Sequence, residues 1–166
     1  KAIVYGSPIP QFVIEHDHRV IYWNNALAEV TGIKAEEMIG TKDQWRAFYP
    51  AERPCLADLL LEGAIGKVME MYRGKYRQSH LVANAYEAMD FFPTLGKDGK
   101  WLHFTAAEIK DARGWVIGVV ETLEDVTERK VAEESVRRLN DELERKVDER
   151  TRQLLEAQEE LVRKEK

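Results

Sequence analysis

After Gly118 the chain contains no glycine and no proline, and from Val116 onward no aromatic residue. Those absences narrow what the C-terminal part can become. A stretch rich in Glu, Lys, Arg, Leu and Ala, and free of breakers, is a long helix. From Glu128 to Lys166 it carries 12 acidic and 11 basic side chains among 39 residues. What precedes it differs: aromatic, punctuated by Gly and Pro, and short in its periodic runs. The boundary lies at Thr122-Leu123-Glu124-Asp125-Val126-Thr127-Glu128-Arg129-Lys130, where a β-prone run, Val116 to Leu123, feeds into the charged helix. The sequence therefore divides into a globular part, 1–127, and a helix, 128–166.

The helix has readable ends and faces. Asp125 can accept backbone N–H groups as its N-cap, with Glu128 reaching back as in a capping box; Thr127 is the rival cap. Acid-first i,i+4 pairs include Glu133–Arg137, Glu134–Arg138, Asp141–Arg145, Glu142–Lys146, Asp148–Arg152, Glu159–Arg163 and Glu160–Lys164. Each adds roughly 0.2–0.5 kcal/mol to helix formation and buries nothing. Burial must come from a thin seam. Ala132, Val136, Leu139 and Leu143 follow 4-3-4 spacing, Val147 arrives after another 4, and the pattern resumes through Arg150, Leu154, Gln158 and Leu161. The extra step is a stutter, which locally unwinds a left-handed supercoil. Such a stripe is satisfied by a second copy, so a parallel homodimer is expected; the alternative is a single helix solvated all round.

Composition excludes several classes. The helix carries a net charge near −1 and the whole chain −5, which gives no electrostatic case for nucleic acid. A lone cysteine, Cys55, excludes an internal disulfide and a cysteine zinc site within one chain. No apolar run approaches the roughly 20 residues that span a bilayer, so no direct membrane contact is expected of this segment. The chain starts at Lys1 without Met and stops mid-helix at Lys166. It is expected to be a piece of a longer protein that could be membrane-anchored elsewhere.

In the globular part, Gln11 to His16 and Arg19 to Trp23 read as a hairpin about Asp17. Asn24 caps a helix that runs through Thr31 to Gly32, and Ala35 to Ile39 makes a turn or two of helix before Gly40. Residues 41–54 are irregular. Leu56 to Tyr72 is helical with interruptions near Gly63 and Gly66. Three β segments follow, His80 to Phe92, Trp101 to Ile109 and Trp115 to Leu123, joined by turns at Gly96-Lys97-Asp98-Gly99 and Asp111-Ala112-Arg113-Gly114. Two strands, small helices and three strands make an α+β domain, an antiparallel sheet with helices on one face.

Four motifs in this order resemble the PAS family: Val20-Ile21-Tyr22-Trp23-Asn24-Asn25-Ala26-Leu27-Ala28-Glu29-Val30-Thr31-Gly32 with Glu36-Glu37-Met38-Ile39-Gly40; Phe48-Tyr49-Pro50-Ala51-Glu52-Arg53-Pro54; Gly114-Trp115-Val116-Ile117-Gly118-Val119; and Asp125-Val126-Thr127-Glu128-Arg129-Lys130. The resemblance covers roughly Pro8 to Lys130. It implies a PAS fold with a five-stranded sheet, acting as a sensory module. Leu143 to Leu154 (LERKVDERTRQL) is similar to the linker that joins PAS domains to the dimerisation helices of bacterial sensor histidine kinases. The segment is thus expected to be a cytoplasmic sensory module of a two-component sensor kinase, with a chemotaxis receptor or cyclic-dinucleotide enzyme as the alternative output. On this reading Asp125, Thr127 and Glu128 transfer the signal and the output domain lies further along the parent chain.

The resemblance also places a pocket between sheet and helices, which Trp45, Phe48, Arg53, Met69, Tyr72, Tyr86, Met89 and Phe104 would line. Aromatic residues with polar tips suit a small organic ligand, and Arg53 could pair with an anion. The same residues also suit a filled core in a module that only dimerises. Cys55 sits in Arg53-Pro54-Cys55-Leu56-Ala57 and not in the Asn-Cys-Arg-Phe-Leu motif of flavin photoreceptors, which argues against a flavin adduct. Ala64 to Tyr72 lacks the His that haem-binding relatives place there, which argues against haem and leaves His80 as a weak metal candidate. His16-Asp17-His18 falls at a turn where polar residues are expected anyway. No phosphate-binding loop, nucleophile elbow or phospho-acceptor His beyond His103 is present, so no catalysis is expected of this segment.

Overall fold

A computed structural model describes residues 6–80 and 82–164. The chain divides into two compact units, one ending at Thr127 and the other beginning at Glu128.

In the first unit, β1 (Gln11–Glu15) and β2 (Val20–Trp23) form the expected hairpin, with His18 in the left-handed region at φ 68°. Helices α1 (Asn25–Thr31) and α2 (Ala35–Met38) follow, then a 3-10 turn, Gln44–Ala47. The long helical stretch is two pieces, α3 (Leu56–Leu61) and α4 (Ile65–Met71), broken at Gly63 with φ 64°. β3 (Tyr76–Gln78), β4 (Ala85–Phe92), β5 (Lys100–Lys110) and β6 (Val116–Asp125) complete a single antiparallel sheet, in the order β2-β1-β6-β5-β4-β3. The sheet has six strands, not five. The additional strand, β3, is three residues long and pairs Tyr76 with Ala88 at the edge. The segment expected as one strand from His80 is instead a turn before Ala85; Leu81 lies outside the described residues.

Strand alternation decides which residues meet the helices. Ala88 pairs with Phe104, Phe104 with Leu123, Ala106 with Glu121, and Phe12 with Glu121. Directly opposed residues share a face, so these side chains lie together on the inner side of the sheet. The core there contains Phe12, Ile14, Leu102, Phe104, Val119 and Leu123, packed with Trp23, Leu27, Phe48, Leu56, Leu59, Val68 and Tyr72. Aromatic rings link across it: Phe12 to Trp23 at 5.8 Å, Phe48 to Phe92 at 6.0 Å, and Phe104 to Tyr72 at 5.5 Å between centroids.

Two polar features fix this arrangement. Asn24, fully buried, caps α1 by accepting from Leu27 N at 2.9 Å. Its amide also accepts from Gln11 N and donates to the carbonyls of Ser7 and Ile9, tying the entering chain to the hairpin. Gly118 is required for another reason: a Cβ there would collide with the carbonyl oxygen of Ile14 on the neighbouring strand.

The second unit is carried by α5, Thr127–Lys164, 38 residues long and without a buried residue. Of the expected i,i+4 pairs, Glu142–Lys146 forms at 2.7 Å; Glu134 reaches Arg137 at i+3 instead, at 2.9 Å. No helix among the described residues is long and apolar enough to cross a membrane.

Candidate functional site

The loop that enters α3 carries the densest polar chemistry in the globular unit. Arg53 lies with its guanidinium carbon 4.1 Å from the Tyr49 ring centroid and 5.6 Å from that of Tyr72. The two tyrosine hydroxyls are 3.0 Å apart, and burial raises both above the usual phenol range. Arg53 Nε and Nη2 are shielded from solvent, yet have no hydrogen-bond partner among the described residues. A guanidinium stacked on a ring gains from the ring quadrupole, but that contact leaves its in-plane N–H groups unused.

Beside it, Asp58 is buried and collects three donors. Gln44 Nε2 lies at 2.8 Å, Cys55 N at 2.9 Å and His18 Nδ1 at 2.7 Å. The hairpin turn, with His18 in the left-handed region, brings its ring to Asp58 on α3. Gln44 is 2% exposed, and its Oε1 has no partner among the described residues. These groups border one cleft of about 480 Å³, lined by His18, Gln44, Trp45, Arg53, Pro54 and Asp58, with Lys42, Glu52, Glu62 and Lys67 also along it.

Below the cleft, on the sheet, lies Glu121. Its carboxylate is 3% exposed and accepts from Ala57 N, in the first turn of α3, at 2.7 Å. Burial, opposed by the Ala57 N–H and aided by the nearby Asp58 charge, pushes its pKa up to about 8. Burial also raises the Cys55 thiol, together with the charges of Glu121 and Asp58. A buried, inert thiol at the start of a helix is a packing residue here.

The expected pocket residues separate into three groups. Trp45 and Arg53 line the cleft. Phe48, Tyr72 and Phe104 are buried within the aromatic core, and Tyr86 packs partly buried against it. Two residues do not belong there. Met69 is 52% exposed, because α4 turns Val68 and Tyr72 inward and leaves Met69 outside. Met89 pairs with His103, on the sheet face opposite the helices. His103 is engaged there with Glu87 at 3.3 Å, and His80 is exposed. No group of three or more candidate metal ligands occurs among the described residues.

Sequence reasoning missed Gln44, Asp58 and Glu121. Glu121 left a trace, since alternation from Val119 to Leu123 puts it on the core face. Nothing local in the sequence marks Gln44 or Asp58, because their partners come from segments far away along the chain.

At the exit, Asp125 Oδ1 accepts from Thr127 N at 3.0 Å and from Thr127 Oγ1 at 2.6 Å, while its Oδ2 takes Lys100 Nζ at 2.6 Å. Burial works against ionisation, but Lys100 and Thr127 hold the Asp125 carboxyl below its usual range. Thr127 Oγ1 in turn accepts from Trp101 N at 3.0 Å. Asp125 thus clamps the chain two residues before Thr127 opens α5, with its Oδ1 spent on Thr127 and not deeper in the helix. Glu128 is exposed in the first turn of α5.

A family model described as PAS fold matches residues 5–131. Among solved structures, the chain is similar to the PAS domain of BvgS from Bordetella pertussis, at 16% identity and TM-score 0.50, covering 84% of this chain and 93% of that one. It is also similar to an RNA-binding light-oxygen-voltage receptor, at 17% identity and TM-score 0.56, covering 84% of this chain and 36% of that one. No curated protein sequence matches.

Proposed function

The chain belongs to the PAS-fold family, a family of sensory modules, and on that premise we propose that it is the cytoplasmic input module of a bacterial sensor histidine kinase. It takes a small ligand in the globular unit and passes the change to an output domain through a parallel pair of its C-terminal helices. The observation that carries this reading is the state of α5. Val136, Leu139, Leu143, Val147, Leu154 and Leu161 are each 55–70% exposed in a single chain. They recur at coiled-coil spacing, and a second copy is the occupant that matches their register.

Transmission has a physical route. Glu121 on β6 holds the first turn of α3 through Ala57, the residue before Asp58, which lines the cleft. Four residues later the same strand ends at Asp125, clamped to β5 by Lys100. A ligand that prefers one placement of α3 therefore favours one placement of β6, by as much as its affinities for the two differ. Asp125 and Thr127 deliver that change to the start of α5, and the stutter with Arg150 in the seam keeps two packings of the helix pair close in energy.

The pairing is tested by Leu139→Cys in a Cys55→Ala background. Parallel helices cross-link in high yield under mild oxidation; antiparallel or unpaired helices do not. Ligand sensing is tested by native mass spectrometry and an absorption spectrum of the purified protein. A featureless spectrum, no bound mass and no thermal shift across a metabolite panel favour instead a module that only dimerises.

A further inference from the structure

We propose that the cleft at the start of α3 selects a small carboxylate carrying an O–H or N–H donor, gripped by Arg53 and Gln44. This rests on the ligand-sensing reading above and names the class of ligand. Nε and Nη2 of a guanidinium lie on one edge and point the same way, the fork that fits the two oxygens of a carboxylate. Those are the two nitrogens of Arg53 left without a partner. The ring of Tyr49 at 4.1 Å holds the guanidinium plane, so the fork is pre-set. Buried polar groups are nearly always paired, and an unpaired buried donor is costly, more so when charged. An anion that completes the fork removes that cost.

Gln44 supplies the second half of the selection. Its amide is oriented unambiguously, because Nε2 must donate to Asp58 Oδ1 at 2.8 Å. Oε1 is then an acceptor, 2% exposed as a residue and without a donor. Both side chains line the same cleft. Two unpartnered donors and one unpartnered acceptor, on two side chains that line one cleft, describe a molecule with a carboxylate and a hydroxyl or amino hydrogen. Trp45 and Pro54 add apolar wall, suited to a short carbon chain more than to a bare inorganic anion. Asp58 does not compete for Arg53, since His18, Gln44 and Cys55 already occupy its oxygens. The Arg53 fork is shielded from solvent, so a ligand reaches it with a local rearrangement of the cleft wall, which links occupancy to conformation.

The test is a titration of the whole chain, following the Arg53 Nε–H signal by nitrogen NMR, with assignment from its loss in Arg53→Lys. The probes are lactate, propionate, lactamide and inorganic phosphate. Lactate is expected to shift the signal saturably, and propionate, which lacks the donor, to bind on the order of tenfold more weakly. Lactamide and phosphate are expected to bind more weakly still. Arg53→Lys keeps the charge but loses the fork, and should weaken lactate at least about tenfold. Gln44→Leu should erase the preference for lactate over propionate. The proposal is overturned if lactate leaves the Arg53 signal unmoved, if lactamide or phosphate equals lactate, or if Arg53→Lys binds unchanged. A neutral molecule found bound by native mass spectrometry, with the Arg53 signal unmoved, retains ligand sensing and removes the carboxylate. Carboxylate binding with no effect on Leu139→Cys cross-linking retains the site and removes the transmission.

Discussion

Glu121 is a carboxyl whose chemistry departs far from what its type leads one to expect. A carboxyl normally titrating near 4.5 is pushed to about 8 by burial on the inner face of β6. The folded protein therefore binds a proton that the unfolded chain has released over that interval. The sign follows: this contribution to stability is full below about pH 4.5 and is lost as pH rises through about 8. Denaturant unfolding between pH 5 and 8 should show stability falling by up to about 1.4 kcal/mol per pH unit from this group. Glu121→Gln should flatten that slope, and an unchanged slope in the variant would count against the assignment. Asn24 makes a second prediction. It closes four hydrogen bonds in a fully buried position, so Asn24→Ala removes a helix cap worth about 1 kcal/mol and strands several backbone groups. Urea unfolding should show a loss of roughly 2–4 kcal/mol, beyond the range of a surface cap alone.

At the scale of elements, the sequence was most legible where one local rule was enough. Asn24 to Gly32 was visible as a capped helix with a left-handed stop, and β5 and β6 were visible from their turns. The short edge strand β3 was not, because three residues carry too little alternation to outweigh the neighbouring turn. Met89 shows the other limit: it was placed in the pocket by composition, but its parity against Phe104 puts it on the opposite face. Arg53 and Trp45 were found as candidates, whereas Gln44 and Asp58, which complete the cleft, depend on contacts between the 3-10 turn and α3 that no local pattern encodes. Gly118 gives an element-level test. Gly118→Ala drives a methyl group into the Ile14 carbonyl, so β1 must separate from β6; the melting temperature should fall by several degrees. In α5, Arg150→Leu extends the apolar seam, and should raise the melting temperature of the helix pair and fix the output in one state. Unchanged melting and unchanged signalling in that variant would argue against two competing packings.

For the molecule as a whole, the two units divide the work. The globular unit buries an apolar core between its sheet and its helices, beside a polar cleft, and leaves Trp115 and Ile117 exposed. The helical unit buries nothing and presents its apolar seam outward. The proposed pairing with a second copy would supply what the helix lacks, and would give a ligand something to alter. The most direct measurement is multi-angle light scattering of the intact chain at micromolar concentration, with circular dichroism on the same sample. The account predicts a mass about twice 19.2 kDa with the C-terminal helix formed; a monomer with a disordered tail would contradict it.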